Sequence, residues 1–104
     1  LKEAKSIEKA GAFSIVLECI APEASKFITN NINIPTIGIG SSNNCDGQIL
    51  VTDDMLGMSG FYPKFVKKYA SLNTVIEKAV KQYTRDVKLN NFPKIQNFLN
   101  GTKF

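Results

Sequence analysis

Histidine is absent from all 104 residues. That rules out a Ser-His-Asp triad within the chain, and imidazole metal ligands with it. Cysteine is scarce. Cys19 and Cys45 have no zinc-type spacing and read as reduced thiols in a cytoplasmic setting. No apolar run approaches the roughly 20 residues of a membrane helix. No charged-then-apolar leader with a small-residue cleavage site opens the chain, so it reads as soluble with no membrane partner. An initiating methionine is missing too: the chain begins at Leu1, which reads as the lack of a natural start.

The charge that is present is unevenly placed. From Tyr62 onward nine basic residues face only Glu77 and Asp86, giving +7 and leaving −3 on the first 61 residues. A basic half can signal nucleic acid. These cations, however, are spread along helical segments without interleaved glycines or stacking aromatics. They read as a solvated face, with no nucleic-acid partner.

Apolar periodicity gives the order of elements. Ala4, Ile7 and Ala10 recur three apart and stop at Gly11, a helix and its end. Phe13 to Leu17 is a short continuous apolar run, read as a buried strand. Pro22 to Asn30 reads as a helix with Ala24, Phe27 and Ile28 on one face. Ile34 to Ile39 is a second strand and Gln48 to Thr52 a third. Pro63 to Leu72 has Phe65, Val66 and Tyr69 at helical spacing. Thr74 and Glu77 form a T-x-x-E capping box ahead of the stripe Ile76, Ala79, Val80, Tyr83 and Val87. Asn90-Asn91 ends that helix, and a polar tail, expected to be poorly ordered, follows Phe92-Pro93.

Strands apolar on both faces and alternating with helices imply α/β architecture, a parallel sheet covered on both sides. A doubly wound sheet or part of a (β/α)8 barrel satisfies this. Between Glu18 and Ile39 there is room for one crossover helix. Between Ile39 and Val51 there is not, so that step needs a barrel-like or degenerate connection.

Glu18 is the sharpest chemical feature: a carboxylate closing an apolar strand, costly to bury unpaired. At the C-terminal end of a parallel strand it faces the ligand crevice, as a base, a metal ligand or a hydrogen-bond anchor. The plainer reading is a cap on the next helix or a bridge to a lysine. Gly38 to Gln48, GIGSSNNCDGQ, looks like a phosphate loop but lacks a third glycine and a Lys-Ser/Thr. Its glycines fit a tight turn or a close approach, and Asp46-Gly47 reads as a turn. Asp53 and Asp54 suit a divalent cation, or capping of a short helix that opens at Met55.

The runs GAFSIVLECIAPE, IPTIGIGSSNNCDGQILVTDDMLGM and YPKFVKKYASL together resemble the ketopantoate hydroxymethyltransferase family (3-methyl-2-oxobutanoate hydroxymethyltransferase). The likeness extends from about Lys2 to Pro93. It implies the C-terminal part of a (β/α)8 TIM barrel, strands six to eight with their helices. Residues 1–90 then belong to one barrel domain and 91–104 to a C-terminal tail. The implied reaction adds a hydroxymethyl group from 5,10-methylenetetrahydrofolate to 3-methyl-2-oxobutanoate. The product, 2-dehydropantoate, lies on the route to pantothenate and coenzyme A. Glu18 matches the family's proton acceptor. Mg²⁺ is implied as cofactor, with its ligands upstream of Leu1 and none in this chain, and a homo-oligomer is implied as the assembly.

Period-two alternation sets Val16 beside Glu18, Ile37 beside Ile39 and Ile49 beside Val51. Ile39, Ile49 and Val51 are therefore expected as apolar walls for the substrate's isopropyl group. The sequence also departs from the family's pattern. Asp53-Asp54 replaces a histidine-aspartate pair, Ser41-Ser42 replaces Ala-Gly, and the Glu-His-Ser-Phe ending is absent. With the metal ligands missing, the fragment is expected to be inactive alone. Two alternatives remain: a non-catalytic half-barrel remnant, and another Mg²⁺-dependent keto-acid barrel enzyme.

Overall fold

A computed structural model describes residues 1–99. Helix α1 (Lys2–Lys9) leads to strand β1 (Ile15–Glu18), helix α2 (Pro22–Thr29) and strand β2 (Thr36–Ile39). Strand β3 (Gly47–Gln48), the single turn α3 (Thr52–Met55) and the long helix α4 (Leu72–Lys88) follow, and a short 3-10 turn spans Ile95–Asn97. The sheet has the order β1-β2-β3 and both pairings are parallel, as the alternation of strands and helices implied.

The strands are shorter than their apolar runs. β1 opens at Ile15, whose N–H donates to the Pro35 carbonyl at 2.9 Å, and Phe13 before it is 88% exposed. β3 ends early because β2 does. Ile49 N–H still reaches the Gly38 carbonyl at 3.0 Å, but Gly40 turns away at φ +61 and leaves later residues no partner. Val51 instead precedes the first turn of α3 in an extended conformation.

Register assigns the two faces. Ile15 pairs with Thr36 and Leu17 with Gly38, which pairs in turn with Gln48. That face is covered. Leu17 is buried, and the buried Ser25 of α2 donates its hydroxyl to the Ile20 carbonyl at 3.3 Å. The hydroxyls of Thr29 (α2) and Thr36 (β2) meet at 2.9 Å. Asp46 locks the start of β2 there, its Oδ2 accepting from Thr36 N–H at 2.8 Å and from the Thr36 hydroxyl at 3.1 Å. What read as a simple Asp-Gly turn therefore anchors a fully buried threonine.

The opposite face carries Val16, Glu18, Ile37, Ile39, Gly47 and, by alternation, Ile49. It was expected to be covered and is not: Val16 is 52% and Ile49 50% exposed. The helical face Ala24-Phe27-Ile28 is likewise not a core. Ala24 and Phe27 are exposed, and the residue α2 buries is Ser25. A Cα radius of gyration of 23.5 Å compares with about 13 Å for a compact chain of 100 residues. Much apolar surface in this chain thus awaits a cover.

Two helical expectations fail for traceable reasons. Residues 63–71 form a strap instead of a helix, and its end is tied to α3 and the residue after it. Tyr69 N–H reaches the Met55 carbonyl at 2.8 Å and Leu72 N–H the Leu56 carbonyl at 3.0 Å. The carbonyls that end a helix are normally orphaned, and the strap satisfies them. The Thr74-Glu77 capping box does not form either. α4 starts earlier, at Leu72 after Ser71, and Glu77 pairs with Lys81 at 2.5 Å on the exposed surface. Asn90, at φ +54, terminates α4 where the sequence indicated. Beyond it Phe92 packs edge-on against Tyr83 with ring centroids 5.7 Å apart. The tail expected to be poorly ordered is thus tied down at its start, and residues 100–104 lie outside the described part.

Candidate functional site

The C-terminal ends of β1 and β2 meet at one corner, and Glu18 is the last residue of β1. Its register partner is Ile39, so the carboxylate stands on the open apolar face beside an isoleucine. The plainer readings of Glu18 both fail here. Helix α2 has no side-chain cap, and among the described residues the one ion pair is Lys81–Glu77. Glu18 is exposed and receives no hydrogen bond from another described side chain. A carboxylate on an apolar face with nothing to hold it is free to meet a ligand.

The chain leaves Glu18 through Cys19, which adopts φ +52, a left-handed conformation that a non-glycine residue enters at a cost of roughly 1–2 kcal/mol. Three hydrogen bonds fix this corner. Cys19 N–H donates to the Ile39 carbonyl at 2.9 Å. The Ser41 hydroxyl donates to the Leu17 carbonyl at 2.6 Å and accepts from Ile20 N–H at 3.0 Å. Both cysteines are free thiols, Cys19 exposed and Cys45 buried.

Gly40 explains itself through the strap. A Cβ there would lie 2.8 Å from the Phe65 ring, so the ring rests directly on the strand end. Phe65 separates two cavities at this mouth. One, of about 570 Å³, runs between Cys19, Ile20, Ser41 and Lys64; the other, of about 400 Å³, lies between Ile49, Met55, Lys67 and Tyr69. Of the expected walls, Ile39 is half-buried beside Glu18, Ile49 lines the second cavity, and Val51 lies outside the strand at the start of α3. Sequence reasoning missed Ser41 and Phe65. A strand-end glycine was the signal for a close approach, but it did not say which side chain approaches.

Three amides of the glycine-rich stretch are already bonded. Asn44 N–H bonds to the Ser42 hydroxyl, Cys45 N–H to the Ser42 carbonyl, and Asp46 N–H to the Thr36 hydroxyl. These amides are not available to cradle a phosphate. Asp53 and Asp54 sit in the first turn of α3, which has no side-chain cap, and Asp54 accepts the Ser59 hydroxyl. Among the described residues no three His, Cys, Asp or Glu side chains converge on a point where a metal ion could be held. Mg²⁺ therefore does not fit the described residues by themselves.

Residues 1–95 match the sequence profile of a family described as ketopantoate hydroxymethyltransferase. The chain is 55% identical over 92 residues to the 3-methyl-2-oxobutanoate hydroxymethyltransferase of Anaplasma marginale, covering 88% of this chain and 33% of that protein. Against the protein of the same name from Pseudothermotoga lettingae it is 54% identical over 98 residues, 93% of this chain and 37% of the relative. The counterpart from Clostridioides difficile is 54% identical over 95 residues, 90% of this chain and 34% of the relative. The chain thus spans about a third of the length of the curated relatives it matches.

Proposed function

Because the chain belongs to the ketopantoate hydroxymethyltransferase family, we propose that it supplies the C-terminal part of a (β/α)8 barrel enzyme that adds a hydroxymethyl group to 3-methyl-2-oxobutanoate. Residues 1–90 contribute three barrel strands with their helices, and 91–104 form the tail. The bare face of the sheet supports this reading: a barrel covers one face of its strands with helices and turns the other inward. Here α1 packs against β1, Thr29 of α2 bonds to Thr36 on one face, and Val16, Ile39 and Ile49 remain on the other.

The observation that carries the proposal is Glu18, unpaired at the C-terminal end of a parallel strand on that inward face. Its carboxylate accepts the C3 proton of the keto acid. Water cleaves the N–CH2–N bridge of 5,10-methylenetetrahydrofolate, so that tetrahydrofolate leaves and the one-carbon unit is released as formaldehyde. The carbanion adds to the formaldehyde carbon, and protonation of the resulting alkoxide gives the hydroxymethyl group of 2-dehydropantoate. Ile39, beside the base, and Ile49, one strand further on, suit the substrate's isopropyl group, with Val51 at the rim. The Mg²⁺ of the proposed enzyme has its ligands on strands preceding this chain, so no step on the present residues runs through it. The proposed enzyme acts on small molecules in the cytoplasm as a homo-oligomer. No described helix is long and apolar enough to cross a membrane.

The test is an assay of the full-length enzyme that contains this segment. Consumption of methylenetetrahydrofolate is expected to depend on 3-methyl-2-oxobutanoate and to yield 2-dehydropantoate. Turnover of a different keto acid, with none of this one, would overturn the proposal.

A further inference from the structure

The corner after Glu18 is held by a side chain from another strand. Cys19 is strained at φ +52, and a strained residue persists only where its surroundings over-determine it. Ser41 provides that constraint. One hydroxyl donates to the carbonyl of Leu17, just before Glu18, and accepts from the N–H of Ile20, just after Cys19. It therefore brackets the two residues whose backbone angles aim the carboxylate. Ile39 N–H and carbonyl groups belong to the strand ladder, and the Ile39 carbonyl adds a third tie through Cys19 N–H at 2.9 Å.

We propose that Ser41 is a positioning residue for Glu18. It limits the rotation of the Leu17–Ile20 corner and so holds the carboxylate at the distance and angle proton transfer requires. This rests on the reading of Glu18 as the base. A base must lie within hydrogen-bond reach of the proton it removes, and small misplacements are costly in rate. Ser41 does not touch the substrate in this proposal, so its loss belongs in the chemical step and not in substrate binding.

In the full-length enzyme, Ser41→Ala is expected to lower kcat by about 3- to 10-fold, within the range a modest loss of orientation produces, with KM for the keto acid changed less than about twofold. Ser41→Thr, which keeps the hydroxyl, is expected to recover kcat to within about twofold. Should the alanine variant fold poorly, Ser41→Cys, close to serine in size but a weaker hydrogen-bonding group, is expected to show the same loss at an unchanged melting temperature. Wild-type kcat in Ser41→Ala, or a threonine variant as impaired as alanine, overturns the assignment of Ser41. Glu18→Gln run alongside separates the two ideas. If it retains near-normal turnover, the base reading itself fails; if it is inactive while Ser41→Ala is normal, only the positioning role fails.

Discussion

Glu18→Gln in the full-length enzyme is expected to reduce kcat by on the order of 10²–10⁴, the usual contribution of a general base. The substitution keeps the size and shape of the side chain and removes its capacity to accept a proton. Glu18 bonds to no described partner, so the change leaves no buried group unsatisfied and its structural cost should be small. The effect therefore belongs to the transition state. kcat and kcat/KM should fall together while KM for the keto acid stays near its starting value, the signature of an interaction made only during reaction. Steady-state kinetics on purified variant and parent checks this. A rise in KM at constant kcat would make Glu18 a binding residue, and unchanged kinetics would remove it from the site.

The second large effect concerns the launch of the C-terminal half. Gly57, just past the C-cap Leu56 of α3, has φ +74, and a Cβ there would lie 2.2 Å from the Ala70 carbonyl oxygen and 2.9 Å from Ser71 Cα. Backbone, not a movable side chain, blocks it. The strap crosses the end of α3 at this point, and Asn73 N–H donates to the Gly57 carbonyl at 3.1 Å. Gly57→Ala must push the strap off those carbonyls. It is expected to cost about 3 kcal/mol or more, in the range reserved for core disruption and backbone strain. Gly60→Ala is the control. Its φ of +77 is nearly the same, but nothing lies within 4 Å of its Cβ position. That variant should lose only the left-handed penalty, about 1–2 kcal/mol. Denaturant midpoints of the full-length variants distinguish the two. Equal losses would mean that the strap does not pack on Gly57 as described.

Some of this was legible in the sequence and some was not, and the division has a physical basis. Helix α1, its stop at Gly11, and the first two strands followed from local patterns, with ends displaced by about two residues. Glu18 stood out because a charge closing an apolar run is expensive without a purpose. The strap escaped notice because Phe65, Val66 and Tyr69 happen to fall at helical spacing, while the bonds that prevent a helix run to Met55 and Leu56. The Ser41 bridge spans 24 positions to Leu17, and no local pattern announces it. The open face of the sheet was concealed in a similar way. Apolar residues on both faces of a strand imply two covers, but not that both covers lie within the same 104 residues.

This last point makes the central claim testable with the chain as it stands. If the bare face is the inside of a barrel, the 104-residue chain should complete the N-terminal two-thirds of a relative such as the Clostridioides difficile enzyme, which it matches at 54% identity. Neither piece alone should turn over. Mixed, they are expected to consume methylenetetrahydrofolate in the presence of 3-methyl-2-oxobutanoate, and the same mixture with Glu18→Gln should remain inactive. A mixture that associates but stays silent, or one in which Glu18→Gln restores activity as well as the parent, would contradict the account.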